Sequence, residues 1–232
     1  MPEPVRRVLY DLAGAEDDRR FSPYCWRTRM ALAHKGLAVE ARPWRFTEKE
    51  AIAFAGSRTV PVLADGDRAV ADSWAIALYL EEAYPARPSL FGAPAAIGPT
   101  HMLNGWTDRV MQPAIVPLII ADIHACLHEK DRAYFRESRE QRLGTSLEAA
   151  MAGRDAAVVG FRKTLEPLRV ALRDRPFLGG ETPSYADYIP FGALQWARCT
   201  SRFPLLAEED PLFAWFGRLL DAHDGLARRA RC

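Results

Sequence analysis

Cysteine is scarce and scattered. The 232 residues contain four, at Cys25, Cys126, Cys199 and Cys232. That spacing makes neither a disulfide framework nor the paired ligands of a zinc site, and it fits a reducing cytoplasm. Long apolar runs are also missing. The most apolar stretch, Val110 to Leu127, is interrupted by Gln112, Pro113, Pro117, Asp122 and His124. It reads as a core helix rather than a membrane span. The segment Met1 to Asp11 lacks the apolar region of a secretory leader, so none is expected. Neither sign of charge is in excess: 31 Lys and Arg stand against 30 Asp and Glu, a net charge of +1. Nucleic acid and anionic membrane are therefore not expected as partners. The basic run Arg228-Arg229-Ala230-Arg231 is short and reads as a solvated tail. Phosphate-loop, dinucleotide and serine-hydrolase motifs are absent. His124 and His128 are four residues apart, but no metalloprotease glutamate lies between them and no third ligand is evident, so no metal is expected.

What the chain does have is enough apolar content, 49% of residues, to bury the core of one large domain or two modest ones. The first part alternates in type. Arg7 to Leu12 reads as a buried strand, Pro23 to Lys35 as a helix, Val39 to Trp44 as a second strand, and Thr47 to Ala55 as a short helix. Pro61 to Ala64 and Arg68 to Ala71 are strands around Asp65-Gly66-Asp67, a strong hairpin signal. Ser73 to Tyr84 is a helix that stops before Pro85. A strand–helix–strand order predicts a parallel pair with a crossover, and the hairpin adds an antiparallel edge. The Pro-rich segment 85–92 is a linker. Beyond it only helical patterns occur, over Thr100 to Gln112, Pro117 to Glu129, Asp131 to Met151, Phe161 to Arg173, Tyr185 to Arg198 and Pro211 to Leu226. Ser184-Tyr185-Ala186-Asp187 has the form of a capping box.

Three short runs carry chemistry. Phe21-Ser22-Pro23-Tyr24-Cys25-Trp26-Arg27 follows a strand and opens a helix. Ser22 is a good N-cap and Pro23 suits the first helical position. A hydroxyl there sits where backbone N–H groups and the positive end of a helix dipole converge, which can hold a thiolate. Cys25 lies one turn inside, where a structural or resolving thiol is expected rather than an attacking one. Thr59-Val60-Pro61-Val62-Leu63 and Ala71-Asp72-Ser73-Trp74 complete the set.

Together these runs resemble the glutathione site of the glutathione transferase superfamily. The run Ser-Pro-Tyr-x-Trp-Arg-Thr-Arg is similar to that of bacterial β-etherases, as are Ser138-Arg139-Glu140-Gln141, Gly153-Arg154-Asp155, Thr164-Leu165-Glu166-Pro167 and Leu178-Gly179-Gly180. The resemblance implies an α/β thioredoxin-like domain over 1–84, a linker over 85–92 and an all-helical domain over 93–232. It implies Ser22 as the residue that stabilises the glutathione thiolate, and a cis Val60-Pro61 corner that pairs with the cysteinyl backbone. Asp72 and Ser73 would hold the γ-glutamyl end, and Arg45, Lys49, Arg58 or Thr59 the glycyl carboxylate. Trp106, Met111, Ile115 and Ile119 are candidates for an acceptor pocket. Expected partners are glutathione as co-substrate, a small hydrophobic electrophile and a second subunit in a homodimer. The expected activity is thiolate attack on an electrophilic aromatic substrate, with β-aryl ether cleavage as the finer form. Two alternatives stand beside it. One is a glutathione-dependent cis–trans isomerase of the maleylacetoacetate type, against which Pro23 and Tyr24 replace a Ser and a Cys. The other is a non-catalytic glutathione-binding protein.

Overall fold

A computed structural model describes residues 6–232. The first part is a mixed sheet, built from β1 (Arg7–Leu12), β2 (Glu40–Trp44), β3 (Val62–Asp65) and β4 (Arg68–Ala71) in the order β2-β1-β3-β4. β1 runs parallel to β2, with Val8 opposite Glu40, because α1 (Pro23–His34) carries the chain across between them. The hairpin returns antiparallel to β1, with Leu9 opposite Leu63 and Val62 opposite Ala71. A 3₁₀ segment, Lys49–Ala55, precedes the hairpin, and α2 (Ser73–Ala83) follows it. The result is a thioredoxin-like unit. Leu9, Leu12, Trp26, Met30, Leu63, Ile76 and Leu80 are buried in its core.

The rest is helical, with α3 (Ile97–Trp106), α4 (Gln112–Ala125), α5 (Glu129–Leu143), α6 (Leu147–Met151), α7 (Arg154–Thr164), α8 (Glu166–Ala171), α9 (Tyr185–Thr200) and α10 (Pro211–Gly225). Three expected helix boundaries move. The break expected between Gln112 and Pro117 does not occur. α3 and α4 form one continuous rod joined by a π segment, Thr107–Met111, and Pro117 lies inside the helix. The wider π turn absorbs the backbone disruption that the prolines bring. The helix expected over Asp131 to Met151 is two, because Gly144 adopts φ 69° and ends α5 while the Ser146 hydroxyl starts α6. The helix expected over Phe161 to Arg173 begins earlier, at Arg154, and breaks at Leu165, where Pro167 opens α8.

α9 is buried along most of its length, and one carboxylate organises its start. Asp187 is fully buried and accepts from the N–H groups of Leu178, Gly179 and Ser184 at 2.7, 3.0 and 2.9 Å, and from the Trp215 indole at 2.9 Å. The capping box thus also fixes the preceding loop and α10. Further along, Gly192 faces the first turn of α1. A Cβ there would lie 2.4 Å from the Pro23 carbonyl oxygen. The two halves are joined again at Asp131, the first-turn acid of α5. It accepts from Phe46 and Thr47 N–H at 2.8 and 3.1 Å and from the Thr47 hydroxyl at 2.7 Å.

Near the end of α10, His223 and Asp224 take left-handed φ values of 53° and 57°. This bend brings the His223 ring to the Tyr188 hydroxyl at 2.9 Å, and that hydroxyl also meets His34 at 2.8 Å. Burial lowers the affinity of both imidazoles for protons, and His223 is pushed down to about 4. The unfolded chain takes up these protons near pH 6.5, the folded chain only at lower pH. Stability is therefore complete above pH 6.5 and falls as pH is lowered from there toward 4. Urea midpoints measured across that window should drop in the wild type and drop less steeply in His223→Gln. Parallel slopes in the two proteins would contradict the assignment.

Candidate functional site

Ser22 ends the loop after β1 with extended backbone, and its Oγ accepts from Cys25 N–H at 3.2 Å. Pro23 occupies the first helical position, as its fixed φ favours. Among the described residues no oxygen or nitrogen acceptor takes the Ser22 hydroxyl proton. Ser22 lies on the wall of a cleft of about 420 Å³ between the sheet unit and the helices. Next to it Tyr24 also faces the cleft. Burial raises its phenol above the ordinary range, so it stays protonated and able to donate at neutral pH. The Arg27 guanidinium lies 4.8 Å from the Tyr24 ring centre and is itself buried, donating to Asn104 at 2.8 Å and to Asp108 in the π segment at 2.7 Å. Gln112 donates to the same Asp108 carboxylate at 3.0 Å.

Arg58, Thr59 and Val60, also of the sheet unit, line the cleft as well. The Val60–Pro61 peptide is cis. Among the described residues no protein group pairs with the Val60 N–H or C=O, while the Thr59 amide and carbonyl are both taken by the Ser57 hydroxyl. The corner therefore presents one open backbone pair to the cleft. Pro61 itself is buried beyond that wall, and its carbonyl accepts from Asp72 N–H at 3.2 Å. Asp72 has φ 79°, a strained value for a residue with a Cβ. One oxygen of its carboxylate accepts from Trp74 and Ala75 N–H at 2.9 and 3.0 Å, capping α2. Ser73 is buried, and its carbonyl accepts from the Tyr185 hydroxyl at 2.7 Å. Pro61, Asp72 and Ser73 are thus not on the cleft wall, and the Asp72 N–H to Pro61 carbonyl bond ties the start of α2 to the corner next to Val60, which is on it. Helix start, open peptide and second helix start are the donors and acceptors that an extended, doubly charged peptide with a thiol needs.

Family models agree with this arrangement. Residues 21–83 match the glutathione S-transferase N-terminal domain and residues 100–204 the C-terminal domain. The chain belongs to the glutathione S-transferase superfamily. A probable glutathione S-transferase of rice, Oryza sativa subsp. indica, is 30% identical over 68% of this chain and 62% of its own length. A glutathione S-transferase-like protein of Aspergillus flavus is 31% identical over 56% of this chain and 50% of its own. The match thus spans between half and two thirds of these curated relatives. Among solved structures, a glutathione S-transferase of Ceriporiopsis subvermispora in complex with glutathione superposes with a TM-score of 0.80 at 22% identity, covering 95% of this chain and 99% of the other. A glutathione transferase of Phanerochaete chrysosporium gives a TM-score of 0.70 at 25% identity, covering 96% and 93%.

Other expected site residues in this transferase fold are placed differently. Arg45 is tied to the loop after β1, donating to Gly14 and Ala15 carbonyls at 3.2 and 3.3 Å and to Asp17 at 2.5 Å, so it is not on the cleft wall. Lys49 sits over the Tyr134 ring, 4.9 Å from its centre. Of the cations considered for the glycyl end, only Arg58 lines the cleft. The acceptor candidates Met111, Ile115 and Ile119 are fully buried in the helical core, and Trp106 is also off the wall. The wall belongs instead to Gln112, Val116, Ile120 and Ile123, one position on. The π segment supplies the reason, since its extra residue turns the rest of the rod by one helical step. Phe46, Tyr134, Phe135, Arg139, Arg142 and Trp196 complete the cleft, and none was singled out for the pocket beforehand. The adjacent Tyr134-Phe135 pair in the otherwise charged α5 was the available signal.

Cys25 is fully buried, and burial raises its thiol well above the usual range, with the Asp11 charge adding to the effect. Cys232 is exposed and lies 3.9 Å from the buried Cys199. Its hydrogen bond with Cys199 draws its thiol down to about 7. Iodoacetamide at pH 7.5 should therefore alkylate Cys232 first and Cys25 last, as followed by peptide mass spectrometry. Early labelling of Cys25 would refute its inert character.

Proposed function

We propose that this chain is a glutathione transferase that holds the glutathione thiolate at the start of α1 and directs it at an electrophilic, aromatic substrate. The observation that carries the reading is Ser22: a cap hydroxyl on the cleft wall whose proton no oxygen or nitrogen acceptor takes among the described residues, beside the Tyr24 phenol and the α1 N-terminus. Glutathione lies along the sheet unit, residues 1–84, with its γ-glutamyl end at Asp72 and Ser73. Its cysteinyl backbone pairs with Val60 at the Pro61 corner, and its glycyl carboxylate is near Arg58 and Thr59. The free thiol ionises near pH 8.5, so few molecules are thiolate at neutral pH. A hydroxyl donor and a helix N-terminus favour the anion and lower that value. The electrophile sits between this unit and the helical domain, residues 93–232, against Val116, Ile120 and Trp196. Attack forms a carbon–sulfur bond and expels the leaving group. For a β-aryl ether the leaving group is a phenolate, which Gln112 and Tyr24 are placed to meet. The finer reading of this site is thus β-aryl ether cleavage, in a reducing cytoplasm where the four thiols stay free.

Ser22→Ala tests the chemistry. Removing the donor while leaving the helix N-terminus and Tyr24 should lower kcat/KM by roughly tenfold to a thousandfold and move the thiol pKa upward, with glutathione affinity little changed. Tyr24→Phe should have the smaller effect. The readouts are the pH profile of kcat/KM and the thiolate absorbance of the glutathione complex. If Ser22→Ala leaves both unchanged, Ser22 is only a cap.

The proposed assembly is a twofold homodimer, which exposed apolar side chains such as Phe54 and Met102 favour. Sedimentation at micromolar concentration should give a dimer. A monomer alone would exclude it.

A further inference from the structure

The cleft has a lopsided charge. Three guanidiniums, those of Arg58, Arg139 and Arg142, lie on its wall, and no Asp or Glu does. Arg58 belongs to the sheet unit, next to the open peptide at Val60. Arg139 and Arg142 belong to α5, on the helical side.

Arg139 is the unusual one. It is half-buried, with its guanidinium beside two aromatic rings that touch each other, 5.4 Å from the centre of Phe46 and 4.7 Å from that of Phe135. Among the described residues it donates to the neighbouring Ser138 hydroxyl at 2.9 Å, and the Tyr134 hydroxyl also meets it. No carboxylate of the described residues forms an ion pair with it. Of the acids on the same helix, Glu140 pairs with Arg136 at 2.8 Å, Asp131 accepts from the Phe46–Thr47 backbone, and Glu137 is exposed and forms no ion pair with it. Arg142, one turn on, adds like charge. The rings return part of the cost of desolvating this cation by cation–π attraction. They leave most of its five donors unused. A desolvated cation with idle donors, aimed into an apolar pocket, is built for an anion from outside.

We propose that Arg139 selects acceptor substrates carrying a carboxylate on or close to their aromatic ring. The inference rests on the transferase reading above. With the glycyl end of glutathione next to Arg58 on the opposite wall, the α5 guanidinium is left for the second substrate. The ring of that substrate lies against Val116, Ile120 and Trp196. Its carboxylate meets the planar guanidinium side-on through two parallel N–H donors. A lysine at this position keeps the charge but not the fork.

The test is calorimetric titration of a matched pair, naphthalene-2-carboxylate and naphthalene-2-carboxamide, into wild type, Arg139→Gln and Arg139→Lys, each with and without saturating glutathione. The expected result is a preference of at least about tenfold for the carboxylate in wild type, as charge-assisted bidentate pairing gives. That preference should collapse to within about threefold in Arg139→Gln and be partly kept in Arg139→Lys, while the carboxamide binds all three proteins alike. Equal binding of the two probes to wild type overturns the proposal, and so does a preference that survives Arg139→Gln. Displacement of the carboxylate by glutathione also overturns it, because Arg139 would then serve the glycyl end. An Arg139-dependent carboxylate preference in a wild type that does not bind glutathione supports the acceptor site and refutes the transferase reading alone.

Discussion

At Gly192 the lack of a side chain lets the α9 backbone press against the first turn of α1, so closely that a methyl group would sit 2.4 Å from the Pro23 carbonyl. That contact fixes where Ser22 is held relative to the helical domain. α9 can serve as a reference because Asp187 pins its start, the preceding loop and Trp215 with a single buried carboxylate. Each donor on Asp187 would be costly to leave unpaired in the interior. Cap chemistry at one end of α9 and the missing Cβ near its middle therefore act together. The first sets the helix in place, and the second lets the sheet unit dock on it at the required depth.

The cleft is the space this docking leaves. One wall is made of turns and helix starts, rich in unsatisfied backbone and in donors. The other is made of the α3–α4 rod and α5, apolar except for guanidinium groups. Asp131 ties α5 to the segment after β2, so Phe46 and Phe135 meet from different units, and Arg139 lies against both. On the function proposed above, the first wall would hold a peptide through its backbone and termini, and the second would sort what approaches the sulfur.

The turns and helix starts in and beside the cleft were legible in the sequence as local structure, and the reason is locality. Ser22-Pro23, Val60-Pro61 and Asp72-Ser73 are short signals whose meaning is set by the few residues around them: a cap, a corner, a second cap. The sheet order followed from the same kind of local grammar, with a helix between parallel strands and Asp65-Gly66-Asp67 closing the hairpin. The second wall was not legible, because which face of a helix meets the cleft depends on its phase. Met111, Ile115 and Ile119 have suitable chemistry, but they point into the core. Arg139 was hidden differently. It lies in a strongly charged helix whose sequence reads as a solvated surface, and only the approach of Phe46 from the other unit makes it a buried cation. Arg45 failed as a candidate for the opposite reason, since a loop far behind it in sequence had already claimed its donors.

The π segment at Thr107–Met111 makes the identity of the acceptor wall a matter of counting. An α-helix turns about 100° per residue, so one residue gained or lost within that segment rotates everything after it as a block. An insertion of one residue directly after Thr107 would withdraw Gln112, Val116 and Ile120 and bring forward the row now in the core, without altering a single side chain of either row. It would also carry off Asp108, the carboxylate that receives the Arg27 guanidinium beneath Tyr24. Related chains can thus differ in acceptor preference through the length of this one turn while their pocket residues align in sequence. In this part of the molecule, indels weigh more than substitutions.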